Sequence, residues 1–291
     1  MKSSIFTDEI LSALEAAGLE TGYSQAYDFP MVTAASGSGT SARFILLDPT
    51  SGTPEQAAYE SKAIACLLSG TGGERPIIIA RDIWERGKDM MRLRMLAHCD
   101  IFRPVFARNC EVIKISRPAA GAFLSKTHSY GSASCRYCYG LRIKRFTGQH
   151  QSKGTDGLQA GDLVAAAAFS NARRWIKGGR EIRSYEWVRY ASLPGLRITG
   201  GMGKILRQFI SDVDPDDVMS YADLEWSDGD VYRKLGFNGE GTKTPVLFRI
   251  DRNSWTRTPV READPPEKTD DGISYYMNQG SLKFRLKLTE Y

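Results

Sequence analysis

The chain has 291 residues, a formal net charge of +5 and 42% hydrophobic residues. This length fits one large domain or two modest ones with ample core, and the composition is that of a globular protein. Apolar runs stay well short of the roughly 18 residues that a membrane-spanning helix needs. The N-terminus carries acidic residues and lacks a continuous apolar segment, so we expect an amphipathic helix there and no signal peptide.

The N-terminal third alternates between helical and strand-like segments. We expect helices over 1–18, 54–68 and 87–99, strands over 43–48 and 76–80, and a loop over the Gly/Ser/Ala-rich stretch 19–42. The second helix begins at Pro54 with Glu55 next, which is a typical helix start. This pattern predicts a small α/β unit over residues 1–108.

The rest of the chain predicts a larger domain over residues 109–261 and a tail over 262–291. Strands are expected at 110–115, 136–146, 163–170, 181–193, 218–221 and 245–250, with helices at 119–125, after the glycines at 200–203, and before Gly236. This order predicts an α+β fold with a central, mixed, largely antiparallel sheet flanked by helices and splayed beside Gly200. The tail predicts an acidic linker, 262–271, and an edge strand, 283–289.

A glycine-rich turn precedes an apolar-periodic helix in the segment 195–237. Gly200, Gly201 and Gly203 open the helix, and Lys204 follows them. The first turn of a helix has free N–H groups beside the positive end of the helix dipole, which suits a phosphate. We therefore predict that the N–H groups from Gly201 to Ile205 face an open cleft that takes a pyrophosphate.

The order of glycine turn, helix, strand and the ending Tyr232-x-x-x-Gly236-Phe237 resembles the second half of a GNAT-type N-acetyltransferase. The runs Ser220-Tyr-Ala-Asp223 and Gly229-Asp-Val-Tyr232 resemble a phage-associated branch of that superfamily. This branch includes Mom-type DNA adenine-modification proteins and the C-terminal module of phage Vsr-like homing endonucleases. The resemblance covers about 108–250, and more weakly 59–107; Ile198 stands where the family turn has Arg or Gln.

The resemblance implies an acyltransferase that uses acetyl-coenzyme A or a related acyl donor, although the donor of Mom-type proteins need not be acetyl-coenzyme A. It implies Tyr232 as the acid toward the leaving thiolate and Asp223 as a base or acceptor-orienting group. Ser227 and Ser220 are expected to hydrogen-bond acceptor or cofactor, while Glu186 and His128 are expected to face the acceptor. Structural alternatives are a turn-capping Asp223, a core Tyr232 and a capping His128.

Basic and aromatic residues are interleaved in segment 171–190, which suits phosphate contacts and base stacking. We predict that this segment, together with 136–145, lines one side of the same cleft and binds DNA, and that the acidic segment 212–217 lies away from any bound polyanion. The alternative is a solvated hairpin. The predicted phosphate contacts are Arg173, Arg174, Lys177, Arg183 and Arg189.

The five cysteines are an odd number, which favours reduced thiols in the cytoplasm, here that of a bacterial host. Cys135-Arg-Tyr-Cys138 lacks a second ligand pair for zinc, so we predict no metal site and a strand with Cys135 and Tyr137 on one face and Cys138 on the other. A nuclease pattern, Asp48, Glu60 and Lys62, is disfavoured because Glu60 and Lys62 fall in a helix-like segment, whereas that chemistry needs them on a strand.

Three functions are open to this sequence. The first is an acyltransferase acting on a nucleobase or another amine in DNA. The second is a nucleic-acid-binding or nuclease-accessory module without transferase activity. The third is a structural or interaction protein of a mobile element. No membrane partner is expected.

Overall fold

The computed structural model describes residues 4–50, 52–70, 75–145, 157–261 and 272–291. The chain forms two compact units that both draw on separated segments. The first unit comprises Met1–Ile101, Ala222–Asp228 and Thr242–Leu282, and the second comprises Phe102–Tyr221, Gly229–Gly241 and Lys283–Tyr291. These units differ from the predicted boundaries 1–108, 109–261 and 262–291, because residues 242–282 cluster with the N-terminal third.

Seven α-helices and seventeen strands lie within the described residues. The helices are α1 Ile5–Glu15, α2 Pro54–Gly70, α3 Arg81–Arg86, α4 Lys88–His98, α5 Arg117–Thr127, α6 Gly201–Val213 and α7 Asp230–Lys234. The strands are β1 Glu20–Ala26, β2 Phe29–Ala35, β3 Ser41–Leu47, β4 Ile77–Ala80, β5 Arg103–Phe106, β6 Cys110–Lys114, β7 Tyr137–Ile143, β8 Leu163–Phe169, β9 Arg173–Lys177, β10 Arg180–Ser192, β11 Leu196–Thr199, β12 Asp217–Asp223, β13 Asn238–Lys243, β14 Leu247–Asp251, β15 Thr256–Pro259, β16 Ile273–Met277 and β17 Ser281–Lys287. No described helix combines the length and apolarity needed to cross a membrane.

The first unit contains a four-stranded sheet in the order β1-β2-β3-β4 and a three-stranded sheet in the order β15-β14-β16. Strands β3 and β4 are parallel and are connected through α2. The expected loop over 19–42 is wrong: β1 and β2 form an antiparallel hairpin there. Strand β1 is largely exposed, so it has no alternating apolar side chains by which the sequence would reveal it.

The second unit contains the central sheet, in the order β13-β17-β12-β10-β8-β7-β6, with β9 paired to β10. Strands β6, β7, β8 and β10 are antiparallel neighbours, whereas β10 and β12 are parallel. This confirms the predicted α+β class with a mixed, largely antiparallel sheet. Helix α6 packs on one face, where Phe209 stacks on Phe169 with ring centroids 3.9 Å apart, and Leu124 of α5 packs on the other face against Ala166 and Ala168.

The alanine run of β8 is a strand although alanine favours helices. Ala165 to Ala168 are fully buried within the described structure, between the layers that α5 and α6 form on the sheet. Neighbouring β7 carries Gly140, where an added Cβ would lie 2.4 Å from Leu163. Tight packing on both faces therefore selects small side chains, and the tertiary environment overrides the local propensity. The predicted strand is confirmed.

The C-terminal strand β17 is not the edge strand that was predicted. It lies inside the sheet between β13 and β12, and its Arg285 is bonded to Asp217, Ser184 and Glu240. The alternation of apolar and polar residues over 283–289 is consistent with either position, because an interior strand with charged partners has the same pattern as an edge strand. The predicted linker, 262–271, lies outside the described residues.

A buried carboxyl in the first unit predicts a pH-dependent stability. Glu225 accepts a hydrogen bond of 2.5 Å from the Tyr276 hydroxyl, and burial, aided by the charge of Asp223, raises the pKa of Glu225 from its ordinary 4.5 to about 7. The folded protein therefore holds a proton that the unfolded chain has released. The stabilisation is complete below about pH 4.5 and is lost as the pH rises through about 7. We expect urea-unfolding free energies to fall by roughly 1–3 kcal/mol over this range from this group.

The neutral variant Glu225→Gln provides the control for this pH dependence. It keeps an acceptor for Tyr276 and has no proton to lose, so its unfolding free energy should vary less between pH 5 and pH 8 than that of the wild type. Equal pH slopes for the two proteins would show that Glu225 does not titrate in this range.

Candidate active site

The glycine turn closes one side of a cleft in the second unit. Strands β5 and β11 pair in parallel, with Thr199 opposite Phe106, so the residues that follow each strand meet at the same edge. There an open cleft of about 330 Å³ is lined by Phe106, Ala107, Arg108, Thr199, Gly200, Lys204 and Arg207. The cleft lies at the start of α6, where Gly200 and Lys204 border it.

The glycines of the turn are required by backbone conformation and by close packing. Gly200 has φ of +77°, in the left-handed region that favours glycine. At Gly201 an added Cβ would lie 2.7 Å from the Tyr190 hydroxyl and 2.8 Å from Ile198 Cγ2. A larger residue at Gly201 therefore requires the Tyr190 and Ile198 side chains to shift. The same contact places the end of β10 beside the first turn of α6.

The cleft carries positive charge suited to an anion. The N–H of Lys204 donates to Gly200 O at 3.0 Å, which is the first hydrogen bond of helix α6. The N–H groups of Gly201 to Gly203 come before this bond, so they have no carbonyl partner within the helix. The side chains of Arg108 and Arg207 are exposed beside them. The Lys204 ammonium donates instead to the backbone carbonyls of Ala107 and Cys110, so it adds charge but anchors the cleft wall. These groups fit a pyrophosphate.

Strands β10 and β12 separate beside this cleft. They pair only at Ser184–Asp217, Tyr185–Val218 and Glu186–Met219, after which β10 continues along β8. The Ser220 hydroxyl donates to Trp187 O at 2.9 Å, so a side chain replaces the ladder bond at the first position where the strands part. The predicted splay is therefore present.

Tyr232 lies at this point of separation. Its hydroxyl is 2.9 Å from Ser220 Oγ, and its ring stacks on Phe284 with centroids 5.2 Å apart. Burial raises the pKa of the Tyr232 phenol, against a smaller opposing effect of Ser220. Tyr232 is thus half-buried and packed against Phe284, and its hydroxyl lies at the point where the strands part; its catalytic role stays a prediction.

A β-bulge marks the same stretch of β10. The register with β8 shifts between Trp187 and Arg189, which leaves Val188 as the extra residue. Bulges of this kind free a main-chain group from its ladder and often lie beside active sites. The bulge is held by the Arg189 guanidinium, which donates to Val188 O at 2.8 Å and to Gly131 O at 3.4 Å.

Glu186 and Tyr130 lie within electrostatic reach of Arg189. Burial lowers the pKa of Arg189, and the charges of Glu186 and Tyr130 oppose that shift. The His128 ring lies 6.3 Å from the Tyr130 ring, and its Nδ1 accepts the Tyr130 N–H at 3.1 Å. His128 therefore has the capping role named as its alternative. Arg189 is half-buried and bonded to backbone carbonyls, so its assignment as an exposed phosphate contact is wrong.

Asp223 and Ser227 form one turn of the first unit. Asp223 Oδ1 accepts the Glu225 N–H at 2.9 Å, and Asp223 O accepts the Ser227 N–H at 2.9 Å. This is the turn-capping role that the sequence offered for Asp223. The structure thus brings these two residues together in the first unit, whereas Tyr232, Glu186 and His128 belong to the second.

The basic hairpin of β9 and β10 does not line the cleft. Residues 173–177 pair with 180–184, about 20–33 Å along β10 from Tyr190. Acidic residues also neutralise much of it: Arg174 pairs with Glu181, Arg180 with Asp216, and Arg183 with Asp214 and Asp216. The expectation that this segment borders the cleft is therefore wrong, because none of its residues is among those that line it; Asp214 and Asp216 of the acidic segment 212–217 contact the hairpin instead. Arg173 and Lys177 are exposed.

The nuclease and metal interpretations find no support in the part of the chain that is described. Glu60 and Lys62 lie in α2, as their composition indicated, and Asp48 pairs with Arg81 at 2.7 Å. No described group of histidines, cysteines and carboxylates has the arrangement of a metal site. The Sγ atoms of Cys135 and Cys138 lie 3.3 Å apart, which corrects the expectation that they occupy opposite faces; Cys135 packs under α5.

Several site residues escaped the sequence analysis. Arg108 and Arg207 reach the cleft from different elements, and Tyr190 contacts Gly201 from the far end of a long strand. The signal that was available for Arg207 is its position two turns into the helix that begins at the glycine turn. Arg108 and the bulge at Val188 leave no local signal.

Comparisons with known proteins give only remote similarities. No family model matches the chain, and no curated protein matches it. Among solved structures, the NatC complex bound to Gag peptide and CoA has 13% identity and a TM-score of 0.36, covering 62% of this chain and 99% of that chain. A histone acetyltransferase HPA2 and related acetyltransferase from Corynebacterium glutamicum ATCC 13032 has 13% identity and a TM-score of 0.30, covering 60% and 76%.

A third solved structure, the KacTA–DNA complex, has 14% identity and a TM-score of 0.29, covering 58% of this chain and 92% of that chain. TM-scores this low carry no inference about this protein. The geometry of the cleft and the splay stands without them.

Proposed function

We propose that this protein is a GNAT-type N-acyltransferase that uses acetyl-coenzyme A or a related acyl-coenzyme A. The observation that carries the proposal is the splay of two parallel strands beside a glycine turn at a helix start. The three β10–β12 register pairs, the left-handed Gly200 and the Tyr232 hydroxyl at the parting point occur together in the second unit. These are the features that the resemblance of segment 195–237 implies.

The cleft residues bind the donor. The N–H groups of Gly201 to Gly203 and the Arg108 and Arg207 guanidiniums hold its pyrophosphate, where the helix dipole adds to their attraction. Bound acetyl-coenzyme A supplies the acetyl thioester. Tyr232 donates a proton from its hydroxyl toward the sulfur, because its raised pKa keeps the phenol protonated near neutral pH. The Val188 N–H, released by the bulge, is available to polarise a carbonyl oxygen.

The acceptor is an amine that approaches the face of β10 where Glu186 and Arg189 lie. Glu186 is the candidate base for the amine proton, and Arg189 fixes the bulge. The finer proposal, that the acceptor is an adenine in DNA as in Mom-type proteins of phage origin, rests on the resemblance alone. The basic hairpin ends two to nine residues before Glu186 and Arg189 along β10, so DNA reaching both sites has to span roughly 7–30 Å.

The binding test uses charge reversal at the cleft. We expect acetyl-coenzyme A to bind the wild type in isothermal titration calorimetry, and the variant Arg108→Glu/Arg207→Glu to bind at least about tenfold more weakly with a flatter salt dependence, because two phosphate contacts are lost. The matched control is Arg173→Glu/Lys177→Glu on the distant hairpin, which should bind acetyl-coenzyme A as the wild type does.

Acetyl-coenzyme A binding by these three proteins, together with DNA binding, separates the functional hypotheses. An equal loss of acetyl-coenzyme A affinity in both double variants would show a non-specific charge effect and would contradict the assignment of the cleft. Absence of acetyl-coenzyme A binding to the wild type at millimolar concentration, together with DNA binding that the hairpin variant abolishes, would favour the nucleic-acid-binding module without transferase activity.

A further inference from the structure

A cavity of the first unit shares no lining residue with the proposed acyl-coenzyme A cleft. It has a volume of about 670 Å³ and is bounded by the start of α1, the β1–β2 turn, the end of β3, one face of α2, and β16. Ligand pockets for small organic molecules typically have about 300–1,000 Å³. The cavity is therefore large enough for a small organic molecule.

Its position in the fold is one where α/β units bind ligands. Strands β3 and β4 are parallel, and Asp48 immediately follows β3. The carboxyl ends of parallel strands open onto the crevice that such folds use for ligands. Asp48 and Glu60, two residues of the nuclease pattern, both line this cavity. Two residues of this pattern therefore border one cavity, although no described group of residues has the arrangement of a metal site.

The lining carries negative charge only. It includes Asp28, Asp48 and Glu60, and no lysine, arginine or histidine is among the described residues that border it. Asp48 pairs with Arg81 through Oδ2, while its Oδ1 has no hydrogen-bond partner. Asp28 and Glu60 have no ion pair or hydrogen bond with any described residue. Two carboxylates are therefore available to a cationic ligand.

Aromatic rings supply the rest of the recognition. Phe6, Phe29 and Tyr276 form buried or half-buried walls, and Tyr27 and Tyr59 are exposed near the opening. Aromatic faces attract ammonium groups through the ring quadrupole. The apolar floor includes Ile64, which is 1% exposed. An ammonium near Glu60 and an apolar body against these rings complement this lining.

We propose that the cavity of the first unit binds an organic cation with an apolar body, such as an arylalkylamine. Glu60 and Asp28 pair with the ammonium group, and the aromatic rings enclose the body. This site is independent of the acyl-coenzyme A cleft, and acetyl-coenzyme A is not its ligand.

The test compares three probes of one shape on the full chain by calorimetry. We expect 2-phenylethylamine to bind, and neutral 2-phenylethanol and anionic 3-phenylpropanoate to bind at least about fivefold more weakly, since one weakly screened ammonium–carboxylate pair accounts for such a factor. The double variant Asp28→Asn/Glu60→Gln should weaken the binding of 2-phenylethylamine about tenfold. The variant Ala63→Phe, which fills the cavity from α2, should abolish this binding. Asp89 is an exposed carboxylate of α4 outside the cavity, so Asp89→Asn should leave the affinity for 2-phenylethylamine unchanged.

Two outcomes would overturn the proposal. Equal binding of all three probes would show an apolar cavity without selection for a cation. No binding of 2-phenylethylamine to the wild type at millimolar concentration would show no such site. Circular dichroism of each variant establishes that it is folded, and unchanged acetyl-coenzyme A binding establishes that the other unit is intact.

Discussion

Replacing Tyr232 by phenylalanine is expected to reduce the rate of acyl transfer about 100-fold while leaving the affinity for acetyl-coenzyme A unchanged. The hydroxyl is the only group removed, and it lies at the point where β10 and β12 part, 2.9 Å from Ser220. Loss of a positioned proton donor typically costs 10²- to 10⁴-fold in rate. The aromatic ring keeps its stacking on Phe284, so the fold and the donor site should be retained. The measurement is coenzyme A release in the presence of an amine, with binding determined separately.

Tyr139→Phe is the matched control for Tyr232→Phe. Tyr139 is a buried tyrosine of the second unit, and its hydroxyl donates to Asp212 at 3.0 Å. Its loss should change the transfer rate less than twofold, because Asp212 lies at the end of α6 remote from the glycine turn. Equal rate losses in both variants would indicate general destabilisation and would remove Tyr232 from the mechanism.

Replacing Asp82 by asparagine is expected to lower the free energy of unfolding by about 3–5 kcal/mol, the typical cost of leaving one member of a buried ion pair unpaired. Asp82 receives two hydrogen bonds of 2.7 Å from Arg257, and the two side chains are 0% and 4% exposed. Burial lowers the pKa of Arg257, but Asp82 outweighs it and the pKa is raised. An arginine side chain does not deprotonate in proteins, so the guanidinium stays charged when its partner is lost. Urea unfolding followed by circular dichroism measures the effect.

The exposed pair of Lys234 and Asp230 gives the comparison for Asp82→Asn. Their side chains are 76% and 55% exposed, so Lys234→Ala should change the unfolding free energy by less than about 0.5 kcal/mol. If Asp82→Asn lowers the free energy of unfolding by less than about 1 kcal/mol, water or a rearrangement must satisfy the charge of Arg257. The buried pair would then not contribute much to the stability of the first unit.

Elements with a strong periodic pattern were predictable, and elements defined by distant partners were not. The helix after the glycine turn has five buried residues on one face, and the apolar strands β4 and β8 are buried throughout or nearly so. The β1–β2 hairpin was missed because its first strand is exposed. The place of β17 depends on the buried Arg285–Asp217 pair, whose members are far apart in sequence.

The candidate site likewise has residues that the sequence predicts and residues that it does not. The glycine turn and Tyr232 were predicted because a contiguous motif carries them. The role of Arg189 was misassigned, since only the folded chain places its guanidinium on Gly131 O and Val188 O. Ile198 occupies the position of the family Arg or Gln, and it packs against Gly201. Positive charge comes instead from Arg108 and Arg207, residues that no spacing rule connects.

The most direct test of the proposed acyl-coenzyme A site is amide hydrogen exchange of the full chain with and without acetyl-coenzyme A. Slower exchange is expected at residues 200–204, where N–H groups bind the pyrophosphate, and at residues 187–189 of the bulge, with no change in β9. Protection absent from both segments at saturating acetyl-coenzyme A, or confined to other parts of the chain, would contradict the assignment of the splayed β10–β12 cleft as an acyl-coenzyme A site.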